Sequence, residues 1–437
     1  MNQMLSFRAG LWCILAIALI PGPVRPADYL IWKNLSKFSA IRMGVGVTSL
    51  GGKIYVIGGY GMAGTSQEAG ILNTTTGAIT GINPIPQVRE APAVVSYGGT
   101  VFVVGGLDNS GAGVGQGNTS DLGPPDTVWH NNITPLMNTG RGYMGAACIG
   151  STVYVFGGIS ANPFTPGTCL NTMESYDLSA GGAGAWAPHA TKIMSEAKAG
   201  MLTVVLNGKI YIIGGAITGF PGASSKVEIY DPIPGGLDGF SAGPDMPVGI
   251  AYATGGVING KIFVLPQSVT VGQATPFYVF DPATNRWDTV SYKYDSPYAS
   301  TSRRATVVVG QKIYVIGGTT PISSIDEITD IDFSVNAPKD GKIQIRNNII
   351  NIDSKGQKAY IVVKGTAGKG YSLAVYSRAG LKLGVIVESA VIGADGTALT
   401  VFDGTLASGK KLGSGAYWVV GGMSVSDRQL MMVINGK

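Results

Sequence analysis

Four basic residues occupy the same place in four successive repeats of this sequence. Each lies sixteen residues before the first glycine of a Gly-Gly pair, and they are Arg42, Arg89, Arg141 and Lys198. Two further repeats have Ile250 and Thr301 there, with Arg303 and Arg304 close behind. Guanidinium groups bind carboxylate or sulfate through paired hydrogen bonds. The constant offset would place each cation at the start of an innermost strand, so the four side chains would form a ring that binds an anion. The alternative is that they tether neighbouring loops.

Two carboxylates next to these cations could serve acid–base chemistry. Glu90 follows Arg89 directly, and Glu196 lies two residues before Lys198. A carboxylate and a cation at the mouth of a pocket could move a proton on a sugar. An acid beside a base is also common on any solvated loop. Glu90 and Glu196 are therefore only weak catalytic candidates.

A metal centre is not expected. The sequence has two histidines, His130 and His189, each close to a tryptophan of an outer strand in its own repeat. They should lie far apart, whereas a metal site needs converging ligands. No phosphate-binding glycine loop and no Ser/His/Asp arrangement can be assembled. We expect no metal and no cofactor, and a binding protein rather than an enzyme, with the enzyme left open.

The N-terminus has the features of an export signal. Arg8 precedes ten apolar residues, 11–20, a run too short to span a bilayer as a helix. We expect residues 1–27 to be a signal peptide cut between Gly22 and Ala27, which predicts a secreted or cell-surface bacterial protein. The alternative is a buried N-terminal strand.

The cysteines and the net charge give expectations about a disulfide and about binding partners. Cys148 and Cys169 remain after the signal is removed, and in an oxidising compartment they could form a disulfide. Alternatively, both are buried as small apolar residues. The net charge of +5 is mild and no run of lysine or arginine occurs, so nucleic acid is not an expected partner.

An apolar strand that ends in Gly-Gly recurs along the chain. It reads KIYVIGGY at 53–60, TVFVVGGL at 100–107, TVYVFGGI at 152–159, KIYIIGGA at 209–216 and KIYVIGGT at 312–319, with a degenerate copy at 261–268. Spacings of 47 to 57 residues are typical of β-propellers. Each period predicts four strands, and the sixth lacks its last strand. Residues 29–35 are expected to supply that strand and close a six-bladed ring.

The repeat resembles the Kelch family over residues 28–333. The Gly-Gly pairs carry the resemblance, together with Tyr176-Asp177, Tyr230-Asp231, Trp186 and Trp287. The resemblance implies that loops at the start of the innermost strands form a ligand pocket. Some secreted Kelch propellers are enzymes, among them copper oxidases and six-bladed sugar mutarotases. The copper site needs two histidines and two tyrosines that converge on the metal. His130 and His189 do not suit it, because they are expected on outer strands of different repeats.

The C-terminal residues 334–437 have a different texture, with short apolar strands divided by Gly, Asp, Asn and Ser turns. Two stretches, 373–386 and 397–420, look like the FlgD-type Ig-like domain. Phe402-Asp403-Gly404 and Ser414-Gly415-Ala416-Tyr417 hold the positions of its hairpin motif. The resemblance implies a small β-sandwich that acts as a spacer, attachment module or sorting signal, with no catalytic role.

The sequence therefore predicts an all-β chain, a six-bladed Kelch propeller followed by a small Ig-like or fibronectin III-like sandwich. We expect a monomer attached to the cell surface through its C-terminal domain. Its propeller face would recognise an anionic glycan or an acidic protein segment. The first alternative is a metal-free mutarotase or epimerase, and the second is a structural scaffold of the cell surface.

Overall fold

The computed structural model is built of β-strands, with a single short 3-10 helix over Leu178–Ala183 among the described residues. The structure describes residues 30–37, 42–74, 76–121, 128–131, 136–161, 168–217, 222–232, 239–265, 274–293, 303–318, 324–330, 343–346, 349–351, 359–364, 366, 368–377, 381–393, 397–422 and 427–434. The expected signal peptide lies outside them. No helix in these ranges is long and apolar enough to cross a membrane.

Six four-stranded antiparallel sheets form the blades. Blade one contains β2 (Gly46–Leu50), β3 (Lys53–Ile57), β6 (Ala69–Leu72) and β7 (Ile79–Ile82). Blade two contains β8 (Ala93–Tyr97), β9 (Thr100–Val104), β10 (Gly117–Asp121) and β11 (Val128–Asn131). Blade three contains β12 (Gly145–Ile149), β13 (Thr152–Phe156), β14 (Met173–Asp177) and β15 (Ala187–Pro188).

The remaining blades follow the same order from the innermost strand outward. Blade four contains β17 (Leu202–Leu206), β18 (Lys209–Ile213), β20 (Val227–Asp231) and β21 (Gly239–Ala242). Blade five contains β22 (Thr254–Ile258), β23 (Lys261–Leu265), β24 (Ala274–Asp281) and β25 (Arg286–Lys293). Blade six contains β26 (Ala305–Val309), β27 (Lys312–Gly317), β28 (Ser324–Asp330) and β1 (Leu30–Lys37). Two small ladders in the loops are β4 (Tyr60–Gly61) with β5 (Gly64–Thr65), and β16 (Lys198–Ala199) with β19 (Ala216–Ile217).

The ring is closed by the N-terminal strand. Strand β1 pairs antiparallel with β28, with Leu30 opposite Asp330 and Lys37 opposite Ser324. The innermost strand of each blade contacts the innermost strands of both neighbouring blades, and β2 of blade one contacts β26 of blade six. The two ends of the propeller therefore share one sheet, which leaves no open gap in the ring.

Each pair of neighbouring blades encloses a hydrophobic core of its own. The second strands supply both sides, because alternate residues of a strand point to opposite faces of its sheet. Ile54 and Val56 of β3 pack with Tyr314 and Ile316 of blade six, whereas Tyr55 and its neighbour Ile57 pack with blade two. Burial on both faces explains why these strands are apolar at every position instead of alternating.

The Gly-Gly pairs occur where two blades approach each other most closely. The first glycine of each pair has a positive φ, +62° at Gly105, for example. A Cβ atom on Gly105 would lie 2.5 Å from the carbonyl oxygen of Arg141 in the next blade. The same clash would occur at the four other pairs, at 2.5 to 2.8 Å. Only glycine combines the required backbone conformation with this approach.

The C-terminal strands form two sheets. A three-stranded sheet contains β29 (Ile343–Arg346), β31 (Ala359–Lys364) and β34 (Thr397–Phe402). A five-stranded sheet contains β30 (Ile349–Asn351), β32 (Gly370–Ser377), β33 (Lys382–Val391), β35 (Gly415–Gly422) and β36 (Asp427–Ile434). Ile361, Val363 and Phe402 of the first sheet share one core with Leu373, Val375 and Val419 of the second. The expected all-β architecture, a propeller followed by a β-sandwich, is confirmed.

We predict that Gly105→Ala lowers the free energy of unfolding by about 3 kcal/mol, because it adds overpacking to the cost of a left-handed alanine. Gly98→Ala is the matched control. Gly98 has a φ of +58° and nothing within 4 Å of an added Cβ, so only the backbone cost of about 1 kcal/mol applies. Urea unfolding followed by tryptophan fluorescence measures both values. Equal losses would contradict the close contact with Arg141.

Candidate functional site

The repeated cations link the blades to each other. Arg42, Arg89 and Arg141 each donate from the side chain to the carbonyl oxygen of the first glycine of their own blade, at 2.8, 2.6 and 3.0 Å. The second glycine of the preceding blade donates its N–H to the backbone carbonyl of the same cation. Examples are Gly106 N to Arg141 O at 2.8 Å and Gly158 N to Lys198 O at 3.0 Å. One residue thus fastens two blades.

A polar residue on the third strand completes this arrangement. Arg141 lies 2.5 Å from a carboxylate oxygen of Glu174, and Lys198 lies 2.7 Å from Glu228, though not in line for a hydrogen bond. In blade two an amide, Asn118, accepts from Arg89 at 2.6 Å. Burial lowers the pKa of Arg89 to about 10, which still leaves it protonated at neutral pH.

The side chains of Arg89, Arg141 and Lys198 are fully buried, and their contacts lie within the protein. Arg42 bonds Gly58 and lies 3.3 Å from the exposed Glu68. The prediction that these four cations form an anion-binding ring is therefore wrong. The alternative interpretation, that they tether neighbouring loops, describes the observed contacts. Thr301 lies outside the described residues.

A second ring lies two residues further along each repeat and surrounds the propeller axis. Its six members are Gly44, Ala91, Tyr143, Gly200, Tyr252 and Arg303. Backbone hydrogen bonds run through them from blade six to blade five, the last one from Ala253, the residue after Tyr252. Gly44 N donates to Arg303 O, Ala91 N to Gly44 O, Tyr143 N to Ala91 O, Gly200 N to Tyr143 O and Ala253 N to Gly200 O, at 2.7 to 3.1 Å. We call these six residues the axial ring.

Every member of the axial ring has a left-handed backbone, with φ between +49° and +63°. This conformation costs a bulky residue of order 1–3 kcal/mol, and such strain concentrates at functional sites. Two glycines also make room for the tyrosines. A Cβ atom added to Gly44 would lie 3.2 Å from the hydroxyl oxygen of Tyr143. A Cβ atom added to Gly200 would lie 2.6 Å from the ring of Tyr252. Tyr143, Tyr252 and Arg303 are therefore placed at the axis despite a backbone cost.

The three large ring residues meet Glu90 in one cluster. The guanidinium carbon of Arg303 lies 5.6 Å from the ring centre of Tyr143 and 5.4 Å from that of Tyr252. The two tyrosines pack edge to face at 5.5 Å. The hydroxyl of Tyr143 donates a hydrogen bond to Glu90, whose Oε1 lies 3.5 Å from Nη1 of Arg303. We call these four residues the axial cluster.

Protonation in the axial cluster follows from burial and charge. Burial first, and then the nearby Glu90 carboxylate, raise the pKa of Tyr143 well above 10, so its hydroxyl remains a donor. Burial alone would lower the pKa of Arg303, but the two tyrosines and Glu90 together raise it. Arg303 is thus a permanent cation held between aromatic faces.

A cavity of about 130 Å³ lies at the axis. Each blade contributes its axial-ring residue and the residue that follows, so the lining includes Tyr143, Tyr252, Arg303 and Arg304. Of the predicted anion ligands, the structure brings these two arginines to the cavity. Arg304 is buried, and the side chain of Arg303 is 15% exposed. The cavity can hold one small group that carries negative charge.

The other candidates lie elsewhere. Glu196 accepts a hydrogen bond from Ser224 at 2.5 Å and is not part of the axial cluster. His130 is exposed on β11, and His189 bonds Ser175 at 2.9 Å in another blade. Over the described ranges, no group of three or more His, Cys, Asp or Glu residues is placed to hold a metal ion.

The possible disulfide is not formed, and both thiols are free. Cys148 pairs with Val153 inside the β12–β13 hairpin, whereas Cys169 pairs with Ile159 beyond the other end of β13. The length of the strand keeps them apart. Burial raises the pKa of both thiols, as expected for cysteines that act as small apolar residues.

Comparison with known proteins identifies the domain. A family model described as the KLHDC2/KLHL20/DRC7 Kelch-repeats domain matches residues 93–318, more than half of the chain. The chain belongs to this Kelch-repeat family. The solved structure titled "Structure of YjhT" is similar to this chain with a TM-score of 0.53, and the match covers 67% of this chain and 95% of that one. Its 14% identity shows a shared fold alone. No curated protein sequence matches the chain.

Sequence reasoning found Glu90 and Arg303 but not the tyrosines. The repeat drew attention to positions where the residue type recurs, and those positions are structural. Tyr143, Tyr252 and Arg303 share one offset from the Gly-Gly pair, yet the six repeats differ in residue type there. The sequence did contain a signal for them. At this offset two other repeats have glycine, Gly44 and Gly200, so a bulky residue there indicates a side chain placed for a function.

We predict that Arg141→Met lowers the free energy of unfolding by about 3–5 kcal/mol, because the buried Glu174 loses its partner. Blade five has Ile250 and Tyr278 at the equivalent positions, both in one apolar core. The double variant Arg141→Ile, Glu174→Tyr copies this pair but removes the acceptor of the Asn138 and Thr139 N–H groups, so it should recover only part of the loss. Urea unfolding tests both. Lys209→Met removes an exposed pair with Asp231 and should change little. An equal effect of Lys209→Met would contradict the tether.

Proposed function

We propose that this Kelch propeller is an exported or cell-surface binding protein whose axial cavity takes the carboxylate of an anionic sugar. The observation that carries the proposal is Arg303, held between Tyr143 and Tyr252 at a strained backbone position beside the cavity. A planar guanidinium binds carboxylate bidentately. The fixed position of Arg303 reduces the entropy lost when a ligand binds.

The lining of the cavity favours a sugar over a peptide. The rings of Tyr143 and Tyr252, two residues that line the cavity, offer apolar surface to the C–H faces of a sugar ring. A peptide bound through its main chain would need free backbone groups. The N–H groups of Ala91, Tyr143 and Gly200 already bond the preceding blade. An acidic side chain of a protein remains the competing ligand in the test below.

A sugar mutarotase or epimerase is the second candidate function. Glu90 supports it, because a carboxylate bonded to a tyrosine hydroxyl lies within 3.5 Å of Arg303 beside the cavity. Such a carboxylate could take a proton from a sugar hydroxyl. Glu196, the other predicted acid, does not reach this cluster. A scaffold role remains the third candidate function, and it requires no small ligand.

The test of the proposed function is a binding titration with a matched pair of variants. Arg303→Gly removes the cation at a ring position where blades one and four already have glycine. Ala91→Gly changes the same ring without loss of a charged group. We expect glucuronate to bind the whole protein and to bind Arg303→Gly at least tenfold more weakly, while Ala91→Gly retains the affinity. Ligand-observed proton NMR measures these affinities.

The same spectra separate the alternatives. New or exchange-averaged sugar signals would make the protein an enzyme. Binding of an aspartate-rich peptide in place of every acidic sugar would make the ligand a protein segment. No binding of either would contradict the pocket and favour the scaffold.

Export and surface attachment are proposed on the N-terminal sequence and on the resemblance of residues 334–437 to the FlgD-type Ig-like domain. We expect the mature protein to begin within residues 23–28. Intact-mass measurement of the protein from its native cell envelope checks this, and deletion of residues 334–437 should release the propeller into the medium. A chain that keeps Met1 and stays in the cytoplasm would contradict the proposal.

A further inference from the structure

Glu90 is an exception among the residues that precede the axial ring. Four other blades have Met43, Gly142, Ala199 and Ala251 at this position, and Ser302 of blade six lies outside the described residues. An acid next to a cavity that binds anions opposes binding, because like charges repel. Its presence at this one position needs a physical explanation.

Its geometry couples Glu90 to the anion site. Its Oε1 lies 3.5 Å from Nη1 of Arg303, and the side chains are 12% and 15% exposed. Tyr143 donates to the same carboxylate from a hydroxyl that stays protonated. Partly buried charges are screened less by salt than exposed ones. The negative charge of Glu90 is therefore felt by any group that binds Arg303.

The charged side chains described at or beside the cavity are two arginines and one carboxylate. Arg303 and Arg304 contribute two positive charges, and Glu90 contributes one negative charge. One negative charge on a ligand can pair with Arg303, whereas a second would be repelled by Glu90, and the described lining has no cation other than the two arginines. Glu90 is not itself one of the lining residues, so it acts on a ligand through its charge.

We propose that Glu90 is a specificity-determining residue that restricts the axial cavity to singly charged carboxylates and rejects dianions such as phosphate monoesters. This inference rests on the proposed function of the cavity. Rejection by an unfavourable charge is a common route to specificity, since discrimination depends on the difference between two affinities.

The experiment compares two probes of similar size, glucuronate and glucose 6-phosphate, by calorimetric titration of the whole protein at pH 8, where the phosphate has two charges. We expect wild-type protein to bind glucuronate at least tenfold more tightly. Glu90→Gln should reduce the ratio of the two affinities, glucuronate over glucose 6-phosphate, about tenfold, mainly by tighter binding of the phosphate. Tyr143→Phe removes the hydrogen bond but keeps the charge of Glu90, so it should keep the ratio above one.

Glu90→Ala is a second variant in case glutamine disturbs the fold, because Ala199 and Ala251 show that the ring accepts alanine at this position. A ratio that stays unchanged in both Glu90 variants would overturn the role of Glu90 but leave the binding function intact. Failure of wild-type protein to bind either probe would overturn the proposed function, and this inference with it. Tighter wild-type binding of glucose 6-phosphate than of glucuronate would overturn the charge rule alone.

Discussion

The closed ring depends on one two-sided contact. In blades one to five, the backbone carbonyl of Arg42, Arg89, Arg141, Lys198 or Ile250 accepts the N–H of the preceding blade's second glycine. In blades one to three, the arginine side chain also reaches the carbonyl of the first glycine of its own blade. The approach allows no Cβ on that first glycine. Blade spacing, the backbone of the axial ring and the cavity at its centre all follow from this contact.

The side chain that takes part in this contact differs in chemical type from blade to blade. Blade three uses Arg141 with Glu174, blade four Lys198 with Glu228, and blade five the apolar residues Ile250 and Tyr278. A buried ion pair gains little net stability over well-packed apolar side chains. The backbone half is retained at Ile250, whose carbonyl accepts from Gly215. The backbone contact is thus the constant element, and the side chain is one of several ways to fill the space around it.

The fold could be predicted closely because its determinants repeat. The spacing of the Gly-Gly pairs and the apolar second strands predicted a propeller, and the missing strand of the sixth repeat predicted that residues near Leu30 close the ring. Strand β1 does pair with β28 of blade six. The candidate site could be predicted only in part. A recurring arginine looks the same in sequence whether its side chain faces a ligand or a glycine carbonyl. Burial and direction distinguish the two, and both emerge only after the blades pack.

The pairing of residues 30–37 with residues 324–330 also sets an order of events in folding. Five blades can form from contiguous segments as the chain becomes available, but the sixth needs both ends of a segment of about three hundred residues. Contacts so distant in sequence form late and slowly. Until residues 324–330 are free to pair, strand β1 has no partner, and the apolar faces of blades one and five that pack on blade six are exposed to other chains. The most vulnerable species of this protein is therefore an almost complete, still open ring, and any factor that protects the nascent chain would have to act on that form.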